Sequence, residues 1–72
     1  MKELFGDLVK RLRIEKGMSV PELAEKSGFT APQIRNIESN RNKPRVFNIQ
    51  KLATALECDY NYLFSKLNEE EN

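Results

Sequence analysis

The sequence predicts an all-α domain of five short helices. Three observations carry this. Apolar residues recur at helical spacing almost throughout, two near-identical helix-start signals stand eleven residues apart, and no run alternates in the manner of a strand.

Leu4, Phe5, Leu8, Val9 and Leu12 form one stripe at i, i+3 and i, i+4 spacing. Gly17 follows as a C-cap signal, so helix 1 is expected from about Lys2 to Lys16. Ser19-Val20-Pro21-Glu22 then reads as a capping box: the serine accepts from the N3 amide and the glutamate reaches back. Thr30-Ala31-Pro32-Gln33 repeats the signal, and each box carries proline in the first turn, where its missing N–H is harmless. Helix 2 is therefore expected over roughly Val20 to Lys26 and helix 3 over Ala31 to Ser39, joined by Ser27-Gly28-Phe29. The run Asn40-Arg41-Asn42-Lys43-Pro44-Arg45 has no apolar residue and reads as a loop. Asn48 is the expected N-cap of helix 4, with Ile49, Leu52, Ala53 and Leu56 facing inward. Asp59 is the expected cap of helix 5, followed by Tyr60, Leu63, Phe64 and Leu67. The organisation is thus one domain over residues 1–67, with a helix-turn-helix core at about 20–39 and an acidic, frayed tail at 68–72.

Seventy-two residues suffice for one domain. The chain has no histidine for acid–base work, one cysteine (Cys58) and three scattered glycines, so enzyme, metal and Gly-rich phosphate-loop readings fail and no cofactor or small-molecule ligand is expected. A lone cysteine fits a reduced compartment, no apolar run approaches a membrane span, and the N-terminus does not read as a signal peptide. A cytoplasmic setting follows as the expectation. Net charge is only +1, but it is unevenly spread. From Gln33 to Lys51 stand five bases against Glu38 alone; from Glu57 to Asn72 stand five acids against Lys66 alone. A polyanion needs a basic face rather than a basic total.

Val20 to Ile37 fit a helix-turn-helix position by position. Leu23 and Ala24 face inward on helix 2, and Ala24 must be small where helix 3 crosses. Gly28 takes the tight turn, Phe29 plugs the junction, and Ile34 and Ile37 anchor helix 3. Leu12-Arg13-Ile14-Glu15-Lys16-Gly17-Met18-Ser19, Glu22-Leu23-Ala24, Ile37-Glu38, Lys43-Pro44 and Leu52-Ala53-Thr54-Ala55-Leu56 complete the pattern. With these residues, Leu8 to Phe64 resembles the Cro/C1 (XRE-type) helix-turn-helix family of phage repressors and bacterial regulators.

The resemblance implies a lambda-repressor-like fold and sequence-specific binding to double-stranded DNA, with helix 3 in the major groove. Outward positions on that helix are Thr30, Ala31, Pro32, Gln33, Arg35 and Asn36. Ala31 and Pro32 offer only apolar contact, which shifts base reading toward Gln33, Arg35 and Asn36; capping alone for Gln33, and a phosphate contact for Arg35, remain open. Ser19, Asn40, Arg41, Lys43 and Arg45 are the expected phosphate contacts, with Asn40 where many relatives have glycine. Val20 replaces a glutamine common in relatives, leaving that anion site to Ser19 and backbone amides. Arg13 and Glu38 occupy the positions of a family ion pair, so Arg13→Ala is expected to loosen the fold more than it touches DNA contacts. Small members bind inverted repeats as homodimers. Helix 5 (Tyr60, Tyr62, Leu63, Phe64) is the candidate self-interface, with core closure by Leu63 and Phe64 the competing reading. Glu57, near which relatives commonly have glycine, suggests a different joint before helix 5. Repressor, operon controller, or fragment of a larger repressor all fit, in a bacterial or phage-type, nucleoid-associated setting. The alternative class is a protein-interaction module or antitoxin that borrows the fold.

Overall fold

The structure is a computed structural model that describes residues 3–70. Its elements are α1 (Phe5–Glu15), α2 (Val20–Ser27), α3 (Ala31–Glu38), α4 (Val46–Leu56) and α5 (Tyr60–Glu70). Helices α1, α2 and α4 surround a core completed by α3 and α5: α3 packs on α1 and α2, and α5 packs on α4 and α1. The amphipathic stripes meet inside. Phe5, Leu8 and Val9 from α1, Leu23 from α2, Ile34 from α3, Ile49, Leu52 and Leu56 from α4 and Leu63 from α5 are all fully buried. Among the described residues there is no strand, and no helix is long and apolar enough to cross a membrane.

The helix ends are set largely by local bonds. Gly17 (φ 71°) closes α1: its amide donates to the Ile14 carbonyl at 2.9 Å and the Met18 amide donates to Arg13 at 3.1 Å. This paired closure needs a left-handed residue at its corner. Gly28 (φ 83°) does the same for α2 and sends Phe29 back onto the core. At the start of α2 the Ser19 hydroxyl oxygen accepts from the Glu22 amide at 3.2 Å. Glu22 does not complete the box as expected; its carboxylate lies 3.8 Å from Lys26 Nζ, one turn on. The Thr30–Gln33 box is complete.

Three boundaries differ from the sequence expectation by more than one residue. Helix α1 begins at Phe5, where Asp7 Oδ2 accepts from the Leu4 amide at 3.0 Å; Lys2 lies outside the described residues. Helix α4 begins at Val46 rather than after Asn48, because the Arg45 carbonyl already accepts from Asn48 and Ile49, at 2.8 and 3.1 Å. Arg45 is thus the cap by backbone geometry alone, behind Pro44, and Asn48 sits inside the first turn. Asp59 does cap α5, its Oδ1 accepting from the Asn61 amide at 3.1 Å. That helix runs to Glu70, so it takes in the first three residues assigned to the tail, while residues 71–72 lie outside the described part.

The joint between α4 and α5 turns on Glu57. Glu57 adopts the left-handed conformation itself (φ 55°, ψ 43°), and the Cys58 amide closes on the Ala53 carbonyl at 3.0 Å. A side chain in that region costs about 1–2 kcal/mol. The exposed Lys16–Glu57 pair, at 3.4 Å, returns little of this. Glu57→Gly is expected to raise stability by about 0.5–1 kcal/mol after the extra chain entropy of glycine. Urea denaturation checks it; a lower midpoint would mean that Glu57 contributes an interaction larger than its strain.

Candidate nucleic-acid interface

Helix α3 is held from beneath and open on its other side. Ile34 and Ile37 point into the core, whereas Pro32, Gln33 and Arg35 are exposed and Ala31 and Asn36 are half-buried. Thr30 is exposed at the helix start, where its Oγ1 accepts from the Gln33 amide at 3.2 Å. Gln33 Oε1 accepts from the Thr30 amide at 2.8 Å. The carbonyl half of Gln33 is therefore engaged in capping and its Nε2 remains for an outside acceptor. Oε1 keeps a second lone pair beside its capping bond. The side chain of Arg35 has no hydrogen-bond or ion-pair partner among the described residues, and neither has that of Asn36. The backbone of Asn36 is occupied: its carbonyl accepts from the amides of Arg41 and Asn42, at 3.0 and 3.3 Å, and from Ser39 Oγ at 3.1 Å.

The chain leaves α3 through Asn40 (φ 66°) into a loop in which Arg41, Lys43 and Arg45 are all exposed. Asn40, expected among the phosphate contacts, also bonds to α1. Its Oδ1 accepts from the Gly6 amide at 2.8 Å and its Nδ2 donates to Asp7 Oδ1 at 3.2 Å, so the side chain turns back onto α1. Beyond the loop, Phe47 is 71% exposed, with Lys51 Nζ 5.0 Å above its ring. Ser19, at the start of α2, is exposed; its oxygen serves the cap and its O–H is left to donate outward.

A buried fork fixes α3 against α1. Arg13 Nε and Nη2 donate to the two carboxylate oxygens of Glu38, at 2.7 and 3.1 Å, and Nη1 donates to the Met18 carbonyl at 2.8 Å. The two side chains are only 12% and 8% exposed. A second cluster sits elsewhere on α1: Arg11 donates to Glu3, Glu15 and the Tyr62 hydroxyl on α5. The hydrogen bond from Arg11 holds the Glu3 carboxyl below its usual range. Burial pushes the Cys58 thiol up, which suppresses the nucleophilic thiolate. Among the described residues, no three His, Cys, Asp or Glu side chains gather as a metal site.

Residues 9–63 match the helix-turn-helix family HTH_3. The chain belongs to that family, the Cro/C1 type of transcriptional regulator. Within the family it is 38% identical over 56 residues to the uncharacterized HTH-type transcriptional regulator y4dJ of Sinorhizobium fredii, covering 78% of this chain and 73% of that protein. It is 40% identical over 65 residues to the HTH-type transcriptional repressor RghR of Bacillus subtilis, covering 89% of this chain but only 48% of RghR. The chain thus spans about half the length of that relative. Among solved structures it is similar to SinR, a master regulator for biofilm formation, in complex with DNA. The TM-score is 0.79 at 32% identity, over 85% of this chain and 98% of the other. The family is one of DNA-binding regulators of transcription and not of enzymes.

Two features of this family member were not legible beforehand. Gly6 is buried where α1 meets α3, and a Cβ there would stand 2.1 Å from the Ile37 carbonyl oxygen. A glycine inside an amphipathic helix is the signal that marks such an approach. The inward turn of Asn40 had no local signal, because its partners lie 33 and 34 residues away.

Proposed function

We propose that this chain represses or controls an operon by binding an inverted-repeat DNA operator through α3, as a homodimer in a bacterial or phage-type cytoplasm. One observation carries the reading: uncommitted Arg35 and Asn36 side chains stand on a helix that leads directly into an exposed basic loop. Arginine can grip guanine and asparagine adenine through paired hydrogen bonds at the major-groove edge. Thr30, Ala31 and Pro32 supply the approach and apolar contact, and Gln33 one donor. Arg41, Lys43 and Arg45, with Ser19 and the amides opening α2, contact phosphates. Asn40 joins that set only through the second N–H of its Nδ2, since its Oδ1 and its backbone amide are engaged within the protein. In α5, Leu63 is buried in the core and Phe64 half-buried on Tyr60, with ring centroids 5.8 Å apart, so Tyr62 at 49% exposure is the self-contact this helix offers.

Selection of bound sites from a random duplex pool supplies the operator. With it, Asn36→Ala is expected to weaken specific binding by about 1–3 kcal/mol while sparing binding to random duplex. Replacing Arg41, Lys43 and Arg45 together by Ala should flatten the log–log salt dependence by roughly 0.9 for each phosphate no longer neutralised. An unchanged specific-to-random ratio removes Asn36 from the reading set, and an unchanged slope removes the loop. The second reading, a protein-binding module or antitoxin, is favoured by Val46 and Phe47, which are 53% and 71% exposed. Absence of duplex binding at low salt would select it.

A further inference from the structure

We propose that Asn40 is a positioning residue for DNA binding: it caps α1 from outside that helix and thereby locks the direction in which the basic loop leaves the recognition helix. This rests on the assignment of Arg41, Lys43 and Arg45 as phosphate contacts. The first amides of any α-helix lack an internal acceptor. Helix α1 starts on Leu4, which has no side-chain oxygen to offer, and Asp7 serves the Leu4 amide. The Gly6 amide is met by Asn40 Oδ1 at 2.8 Å, from 34 residues away. The other end of the same amide group donates to Asp7 Oδ1 at 3.2 Å. The carbonyl and the NH2 of the Asn40 side chain are therefore each bonded to the first turn of α1.

Its backbone has a second task. Asn40 is the left-handed residue (φ 66°) that ends α3, with its amide on Ile37 and the Arg41 amide on Asn36. Glycine could take that conformation with less strain, but could make neither side-chain bond. The same residue thus turns the chain and anchors the turn. Gly6 lets this happen, since its missing Cβ is what allows Asn40 and the Ile37 carbonyl to come so close. The loop then starts from a point fixed on the body of the protein. Its arginines and lysine meet phosphates with less ordering left to do on binding, which is where preorganisation raises affinity.

The test uses the full chain and a random-sequence duplex, which reads the phosphate contacts without knowledge of the operator. Asn40→Gly keeps the turn and removes the anchor. The expected result is faster hydrogen exchange at the Gly6 amide, duplex affinity lower by about threefold to tenfold and a shallower salt slope. Asn40→Asp sets two carboxylates against each other and should weaken binding further. The exchange of roles in Asp7→Asn with Asn40→Asp keeps the net charge and rebuilds the bond with donor and acceptor reversed; it should restore most of the affinity and slow Gly6 exchange again. Parent-like affinity and slope in Asn40→Gly, despite faster Gly6 exchange, would overturn the proposal, as would a double variant no better than Asn40→Asp. The two variants carrying aspartate decide the matter if Asn40→Gly does not fold. The loop triple variant separates the two ideas. If that variant flattens the slope and Asn40→Gly does not, only the positioning role falls; if the triple variant leaves the slope unchanged, the loop assignment falls first.

Discussion

Arg13→Ala is expected to destabilise the domain by about 3–5 kcal/mol, because it leaves the Glu38 carboxylate enclosed without its partner. The magnitude follows from burial. Both side chains are nine-tenths withdrawn from water or nearly so, and both carboxylate oxygens are met by the guanidinium fork. A domain of this size has roughly 4–10 kcal/mol of stability in all. The loss is therefore of the order of half the total, and the melting temperature should fall by about 15–30 °C. The mutation also releases the Met18 carbonyl, which caps the turn between α1 and α2.

Removing both charges together should cost much less. Arg13→Met with Glu38→Leu leaves no stranded ion and keeps the buried volume, so its melting temperature should lie well above that of Arg13→Ala. A double variant as unstable as the single one would assign the effect to lost shape rather than lost charge. Arg13→Lys should fall between, since an ammonium cannot reproduce the two parallel bonds. None of these positions faces outward, so the salt dependence of DNA binding should be unchanged at temperatures where each variant is folded.

Gly6→Ala should destabilise by about 2 kcal/mol, although alanine is the better helix former by about 1 kcal/mol. The sign is decided by what the added Cβ meets. The nearest atom is the backbone oxygen of Ile37, at 2.1 Å, and the next is Asn40 Oδ1, at 2.6 Å. A flexible side chain could rotate away, but a helix carbonyl cannot. Helices α1 and α3 must therefore move apart, and the Gly6–Asn40 bond lengthens with them. Chemical denaturation should show a lower midpoint with an unchanged slope. An alanine variant as stable as the parent would mean that the two helices can separate at no cost, and the anchoring of Asn40 would lose its structural basis.

How much of this was readable in advance depends on how far apart the interacting groups lie along the chain. The starts of α2 and α3 were legible because Ser19 and Thr30 act on amides three residues away. The inward faces were legible because Phe5, Leu8 and Val9 in α1, and Ile34 and Ile37 in α3, repeat at helical spacing, and the Arg13–Glu38 pairing came through family resemblance rather than spacing. The start of α4 was misplaced because Asn48 is a good cap by composition, whereas Arg45 is the cap by backbone direction after Pro44. At Glu57 a residue that disfavours the left-handed region still takes it, because the corner between the flanking helices is set by their packing.

Local chemistry thus specified the helices, their inward faces and the presence of a third helix followed by a basic loop, since caps and periodicity act over three or four residues. The spacing of α1 against α3, the partner of Asn40 and the division of α5 between core and surface were settled by assembly. The contacts of α1 with α3 and with Asn40 join groups more than thirty residues apart, and they exist only once the crossing of two helices has brought a missing Cβ, a carbonyl and an amide to the same point.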